Sequence, residues 1–152
     1  MANQVPEWTI VLAESQTKGR GKPGFSWHSP PGGLYFSVIL KPRKNPQDLT
    51  PITHITAVAV VGAIDNFNPQ IKLPNDILIG KKKVCGILTE RSGENLIIGI
   101  GLNVNTAEFP PELKATSLMI ENQGKVLDLA ELLQKILANL KEEYFKYLGI
   151  KV

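Results

Sequence analysis

Residues 84–104 read VCGILTERSGENLIIGIGLNV, two apolar runs on either side of a Ser92-Gly93 turn. Both runs are rich in β-branched residues, and a short Gly-containing turn between such runs is typical of a β-hairpin. A second turn signal, Gly80-Lys81, precedes them. Strands that follow one another through hairpins form a meander, which favours an antiparallel or mixed sheet. The sequence predicts strands here at residues 71–73, 77–79, 84–89 and 96–104.

Two further strands and two helices are predicted outside this meander. The apolar run 52–64 is long enough for a helix, with Thr50 as its N-cap before Pro51, although its β-branched residues leave a strand open. The second helix has one apolar stripe, an Asp128-x-x-Glu131 capping pattern and Gly149 as its stop. Helices segregated from a meander indicate an α+β domain with helices packed on one face of the sheet. The added elements are strands at 8–13 and 33–40 and helices at 52–64 and 128–147.

Length and composition limit the classes of protein to consider. The chain has 152 residues, 43% of them hydrophobic, and a formal net charge of +3, so we expect one domain over residues 1–152 and an anionic ligand is permitted. A single cysteine excludes a disulfide framework and a Cys-rich zinc site. No apolar run approaches a membrane span, and residues 1–6 lack a signal-peptide pattern. We therefore expect a cytoplasmic protein without a membrane partner.

The segment 16–24, QTKGRGKPG, alternates three cations with glycines. Glycines let the backbone approach a ligand closely, and Arg20 can bind a carboxylate or phosphate through two parallel hydrogen bonds. Lys22 would add a point charge. No Gly-Lys-Ser/Thr or helix pattern follows, which argues against a Walker loop and a Rossmann fingerprint. On this segment alone, a basic surface loop that binds nothing is an equally good interpretation.

Three other segments could carry chemistry, and each also has a purely structural explanation. Residues 72–76, KLPND, could be a strand–turn–strand corner. Residues 81–90, KKKVCGILTE, could be a solvated lysine turn before a buried strand. The glycines of residues 98–105, IGIGLNVN, indicate either a ligand lying close to the backbone or simple crowding between strands.

The combination is more specific than any of its parts. In order, the chain carries Gln-x-x-Gly-Arg-Gly, Gly-Gly-Leu-Tyr-Phe-Ser, Lys-x-Pro-Asn-Asp, Lys-x-x-Gly-Ile-Leu-x-Glu and Gly-x-Gly-x-Asn-x-Asn. This string, over residues 10–105, resembles the catalytic core of the biotin protein ligases, also called biotin–acetyl-CoA-carboxylase ligases. The resemblance implies the fold shared by class II synthetases and biotin–lipoate ligases.

The resemblance also implies an ATP-dependent ligase. Such enzymes convert biotin and ATP to biotinyl-adenylate (biotinyl-AMP) and pyrophosphate, and then transfer biotin to a lysine of a biotin carboxyl carrier domain. The biotin carboxylate is itself the nucleophile, so no catalytic serine or cysteine is needed. Cations must neutralise the two anions that meet, with Mg²⁺ bridging phosphate oxygens.

Residue roles follow from the same resemblance. Lys83 and Arg20 are the expected catalytic residues, Lys83 near the biotin carboxylate and the α-phosphate, and the segment around Arg20 folds over the ligand. No protein metal ligand is expected, and His28 and His54 are expected to be structural, with His54 in the buried helix. Expected biotin-binding residues are Gln16, Gly19, Arg20, Gly21, Lys83, Gly86 and Gly101. Expected nucleotide-binding residues are Lys22, Trp27, Asn75, Asp76 and Asn103.

The chain departs from the family pattern in several places. Lys22 stands where many members have arginine, which removes a bidentate contact, and Leu73 replaces a tryptophan before Pro-Asn-Asp. The family's preceding Ser-Thr stretch and following β-barrel are not recognised, so we treat the chain as an abbreviated catalytic domain. We therefore expect reduced or partner-dependent activity, with a separate polypeptide as a possible completion of the site. A homodimer is a further possible assembly.

Three other functions stay open on the sequence. The chain could be a degenerate paralogue that binds biotin without catalysis, or a lipoate-type ligase of the same superfamily. It could instead bind nucleic acid by stacking bases on Phe25, Trp27, Tyr35 and Phe36. Strand alternation places Tyr35 and Phe36 on opposite faces, which argues against such a platform, and we expect no DNA partner.

Overall fold

A six-stranded sheet with helices organises the chain in the computed structural model, which describes residues 4–151. Its strand order is β1-β2-β6-β5-β4-β3, and every neighbouring pair is antiparallel. The predicted α+β class is confirmed, and of the two sheet types expected the antiparallel one forms. Residues 1–3, part of the chain start considered above, lie outside the described residues. The elements are β1 (Thr9–Ala13), β2 (Leu34–Leu40), α1 (Thr50–Ala63), β3 (Pro69–Lys72), β4 (Asp76–Ile79), β5 (Lys82–Ser92), β6 (Asn95–Leu102), α2 (Leu118–Glu121) and α3 (Leu129–Tyr147).

The hairpin of β5 and β6 gives the sheet two different faces. Side chains alternate between the faces of a strand, and residues directly opposite in an antiparallel pair share a face. Ile87 pairs with Ile100, and both are buried in the hydrophobic core. Gly86 pairs with Gly101 on the opposite face, where there is almost no side-chain bulk. One face of this hairpin therefore builds the core, and the other stays open.

Helix α1 is apolar nearly all round because protein covers it on two sides. It packs on β3, β4 and β5, and α3 packs against it. Ile52 and Val60 are fully buried there. The predicted helix is confirmed over the strand alternative.

Two details of the α1 prediction are wrong. Thr50 is the first helical residue rather than the N-cap, which is Leu49 without a capping side chain. The Asp48 carboxylate accepts the Thr50 N–H at 3.0 Å, and this local turn lies just before the helix. His54 is exposed rather than buried, because the buried positions Ile52 and Thr56 lie on the other side of the helix.

Helix α3 begins and ends as its sequence predicts. The Asp128 side chain accepts the Glu131 N–H at 3.1 Å. Gly149 follows the helix with φ of 74°, and its N–H bonds the Lys146 carbonyl. The short helix α2, capped by Ser117, was not predicted. Within residues 4–151, no helix combines the length and the apolar character that crossing a bilayer requires.

Truncation of one buried α3 side chain tests this packing. Ile136 is fully buried, so Ile136→Ala should lower the free energy of unfolding by about 2–5 kcal/mol through lost burial and a residual cavity. Urea unfolding followed by circular dichroism measures the change. The exposed neighbour variant Gln134→Ala should stay within about 0.5 kcal/mol of the wild type. Equal losses in both variants would contradict this packing of α3.

Candidate functional site

The glycine-rich basic segment forms a small ordered hairpin over the open face of the sheet. The N–H of Trp27 bonds the Gly19 carbonyl at 2.8 Å, and the N–H of Gly21 bonds the Phe25 carbonyl at 3.0 Å. Gly24 turns the chain with φ of 87°, a conformation that glycine adopts at little cost. We call residues 19–27 the basic hairpin, since Arg20 and Lys22 lie in it.

A polar cluster closes the base of the basic hairpin. The Ser29 hydroxyl donates to Gln16 Oε1 at 2.8 Å, and the Gln16 N–H bonds the Ser29 carbonyl at 3.0 Å. A side chain on Gly19 would place its Cβ 2.6 Å from Ser29 Oγ. Gly19 is therefore required by crowding at the base, and the Gln16 amide is held in one orientation.

The indole of Trp27 lies directly on the sheet. Gly86 and Gly101 face each other across β5 and β6, and a Cβ on Gly86 would come within 3.0 Å of the ring. A Cβ on Gly101 would overlap the indole Nε1. The same transverse row of the sheet continues to Tyr35 on one side and Asp76 on the other. The two glycines thus form a flat floor that an aromatic ring can cover.

Lys83 approaches the same floor from the start of β5. Its ammonium lies 2.8 Å from Asp76 Oδ1 and 4.9 Å from the centroid of the Trp27 ring. Its backbone is fixed by a short parallel bridge to the segment after β6, where the Lys83 N–H bonds the Lys114 carbonyl at 2.9 Å. Lys83 is therefore half-buried, paired with a carboxylate and held beside an aromatic face.

Arg20 reaches the sheet at a different point. Its guanidinium contacts both oxygens of the Glu90 carboxylate, with Nη2–Oε1 at 3.0 Å and Nη1–Oε2 at 3.4 Å. The pair is largely exposed. Each of the two predicted catalytic cations is thus paired with one carboxylate on the same face of the sheet.

Both cations open onto one cavity of about 520 Å³ between the basic hairpin and the sheet. The cavity brings together all but one of the twelve residues predicted from the sequence, and the exception is Gly19. Its predicted lining residues are Gln16, Arg20, Gly21, Lys22, Trp27, Asn75, Asp76, Lys83, Gly86, Gly101 and Asn103.

The charged groups of the cavity favour an anion. Five cationic side chains line it, against the two carboxylates of Asp76 and Glu90. No cluster of three or more metal-ligating side chains occurs among the residues that the structure describes. The cationic lining residues are Lys18, Arg20, Lys22, Lys83 and Lys114.

Two buried amide oxygens in the cavity lining lack a protein partner. Asn103 donates from Nδ2 to the Thr116 carbonyl at 3.1 Å, and Asn75 donates to the Ile87 carbonyl at 3.0 Å. The Oδ1 atom of each side chain is buried without a hydrogen bond. Buried acceptors are normally satisfied, so the hydrogen bonding of these two lining side chains is incomplete in the protein alone.

The lone cysteine takes no part in this site. Cys85 is fully buried on the core face of β5, next to the floor residue Gly86. Burial raises the pKa of its thiol well above the usual range, because the thiolate would be desolvated. The thiol therefore stays protonated and is not a nucleophile.

Several lining residues were missed by the sequence analysis. Ser37 and Gly99 could have been found, because they alternate with core residues on predicted strands. The opposite wall could not have been found from the sequence, because its proline-containing loop has no periodic signal. Backbone pairing with Lys83 brings this loop to the cavity, and its lining residues are Phe109, Leu113 and Lys114. His28, expected to be structural, lies in the lining and meets the Phe109 ring at 6.0 Å between centroids.

Comparison with known proteins identifies the family. The sequence model of the biotin/lipoate A/B protein ligase family matches residues 2–105. The chain belongs to this family. The basic hairpin, Asn75, Asp76, Lys83, the two floor glycines and Asn103 all lie within the matched part.

Individual members of the ligase family match over most of the chain. The bifunctional ligase/repressor BirA of Bacillus spizizenii is 43% identical over 96% of this chain and 49% of its own length. The biotin–[acetyl-CoA-carboxylase] ligase of Paracoccus denitrificans is 32% identical over 66% of this chain and 45% of its own. A biotin protein ligase from Aquifex aeolicus, solved in complex with biotin and ATP, superposes with a TM-score of 0.86 at 39% identity, over 95% of this chain and 63% of that one. The chain spans about half the length of the curated relatives it matches.

Adding one methyl group to the floor tests the placement of Trp27. Gly101→Ala should displace the indole, because the new Cβ would overlap Nε1, and should cost about 1–3 kcal/mol of stability through overpacking. The protein has two tryptophans, so nuclear magnetic resonance should show one indole N–H resonance, that of Trp27, shifting while that of Trp8 stays.

Gly99→Ala is the matched control, since its Cβ would meet only ordinary contacts, the nearest at 3.5 Å from the Leu88 carbonyl. An unmoved Trp27 resonance in Gly101→Ala would show that the indole does not rest on this floor.

Proposed function

We propose that this chain is a biotin protein ligase domain that activates biotin with ATP and transfers it to a lysine of a carrier domain. The observation that carries the proposal is the convergence of Arg20 and Lys83, from two distant segments, on one glycine-floored cavity. The family match and the likeness to a biotin protein ligase solved with biotin and ATP support it.

In the first step, an oxygen of the biotin carboxylate attacks the α-phosphorus of ATP. A P–O bond forms, the bond from the α-phosphorus to its bridging oxygen breaks, and pyrophosphate leaves with that electron pair. Two anions must approach each other, so positive charge at the meeting point lowers the barrier. Lys83 supplies this charge from one end of the cavity and Arg20 from the other, and Lys18, Lys22 and Lys114 add to the positive field from the cavity wall.

In the second step, the neutral amine of the carrier lysine attacks the acyl carbon of biotinyl-AMP. A C–N bond forms, AMP leaves with the electrons of the C–O bond, and the amine loses a proton to solvent. The reactive anhydride must be kept from water until the carrier arrives. The basic hairpin covers the cavity and serves this purpose.

In this proposal, polar side chains of the cavity lining bind the nucleotide. The free Oδ1 atoms of Asn103 and Asn75 suit donors on the base or ribose of ATP. Trp27, assigned to the nucleotide, also covers Gly86 and Gly101, which are assigned to biotin. Within the proposal, Trp27 therefore lies at the junction of the two substrates.

Mg²⁺ enters in this proposal as part of the nucleotide substrate and supplies charge neutralisation at the phosphates. Two separate carboxylates, Asp76 and Glu90, line the cavity, which suits an ion held mainly by phosphate oxygens and water rather than by a protein cage. No residue here is assigned as its ligand.

The biological setting belongs to the same proposal. A carboxylase carrier domain is the acceptor, as the name of the Paracoccus relative suggests. Five expectations stay predictions: a cytoplasmic location, a single catalytic unit over residues 1–152, the absence of a DNA partner, a homodimer, and completion of the site by a separate polypeptide.

The direct test incubates the purified chain with biotin, ATP, Mg²⁺ and an acceptor carrier domain. We expect pyrophosphate release that depends on biotin, followed by biotinylation of one carrier lysine seen by mass spectrometry. Replacing biotin by lipoate separates the two acid specificities of the family. Biotin binding without pyrophosphate release would favour a binding protein, and the absence of both products, with or without an added partner chain, would reject the proposal.

Removal of the Lys83 charge separates catalysis from ligand binding. Lys83→Ala should slow pyrophosphate release by about 10²–10³-fold, because the charge matters most as the phosphorus reacts, and should weaken biotin binding by less than about tenfold. Single-turnover kinetics and calorimetric titration with biotin measure the two effects. Lys82→Ala removes the same charge one residue away, outside the cavity lining, and should change neither. Equal losses of rate and affinity in Lys83→Ala would mean that Lys83 only holds the ligand.

A further inference from the structure

Glu90 belongs to the Gly-Ile-Leu-x-Glu motif, and no role described above uses it. Its carboxylate joins the basic hairpin to strand β5 through the two Arg20 hydrogen bonds, at 3.0 and 3.4 Å. Two parallel N–H···O contacts fix orientation as well as distance. The contact therefore constrains both the hairpin and the direction of the Arg20 side chain.

The position of Glu90 makes this contact an anchor at the far end of the cavity. Glu90 lies on the same face of β5 as Gly86, four residues further along the strand, a separation of about 13 Å. Trp27, whose N–H bonds Gly19 at the base of the same hairpin, lies on Gly86 and Gly101. The hairpin thus meets the sheet at two places, with the cavity between them.

We propose that Glu90 is a positioning residue that holds the basic hairpin closed through Arg20. A guanidinium has five N–H donors, and Glu90 takes two of them. Arg20 therefore keeps donors for a ligand while its other edge is fixed by the carboxylate. The effect on closure is independent of the reaction, whereas the effect on retention of an adenylate rests on the proposed function.

The exposure of the pair makes the closure reversible. The Arg20 and Glu90 side chains are 72% and 42% exposed. Exposed ion pairs stabilise weakly, and salt screens them. Such a contact shifts the open–closed equilibrium a few-fold, which suits a cover that must admit substrates and release products. The other carboxylate of the lining, Asp76, is already paired with Lys83 and lies at the opposite end.

Trypsin cleavage of the free protein tests closure without any substrate. Cuts after Lys18 and Arg20 should be about two- to fivefold faster in Glu90→Gln than in the wild type, since cleavage follows the population of the open hairpin. Glu94→Gln is the matched control, because it makes the same charge change at an exposed position in the β5–β6 turn, outside the lining. Mass spectrometry of the released peptides measures both rates.

Salt dependence distinguishes the ion pair from a general loss of structure. Raising NaCl from about 20 mM to about 500 mM should speed these cuts in the wild type and in Glu94→Gln, but have little effect in Glu90→Gln, where the pair is already lost. Equal cleavage rates in all three proteins, or the same salt response in Glu90→Gln as in the wild type, would overturn the proposal.

Escape of biotinyl-AMP tests the consequence for the reaction. After one turnover without carrier, Glu90→Gln should release the adenylate about two- to fivefold faster than Glu94→Gln. An escape rate equal to that of Glu94→Gln would contradict the positioning role. If the wild type forms no adenylate, the proposed function fails, and the trypsin and salt measurements still decide whether Glu90 holds the hairpin.

Discussion

The missing side chains of Gly86 and Gly101 are the constraint on which the site depends. Because the two residues face each other across β5 and β6, the sheet backbone is exposed over the area of one aromatic ring, and the Trp27 indole covers it. That contact fixes one end of the basic hairpin. It also sets the distance between the hairpin and the sheet, and therefore the height of the cavity.

Charge is arranged around this floor in separate pairs. Lys83 is bound to Asp76 at one end of the cavity and Arg20 to Glu90 at the other. Two of the five lining cations are held in place by these pairs, which reduces the repulsion that five bare positive charges would produce. The positive side chains of the lining are already in position before an anion binds, so they need little rearrangement when it does.

Much of this architecture could be predicted from the sequence because its causes are local. Alternating apolar residues, Gly93 in a turn and Asp128 before a helix each specify their own neighbourhood. The identity of the site came instead from an ordered string of motifs, and the structure brings eleven of twelve named residues to one cavity. Contacts between distant segments were not visible, such as Arg20 with Glu90 or Lys83 with the wall at Lys114. The error at Thr50 arose because the helix start could be shifted by one residue, and the error at His54 because a helix that is apolar nearly all round does not show in sequence which side is exposed.

The two-sided character of β5 and β6 has an evolutionary consequence. Ile87 and Ile100 place their side chains in the core, while Gly86, Gly99 and Gly101, their neighbours along the chain, present no side chain to the cavity face. Along one strand, alternate positions therefore have different roles: one set packs the core and the other shapes the cavity. Substitutions at the cavity-facing positions can change which ligand binds, while the core-facing residues keep the sheet stable.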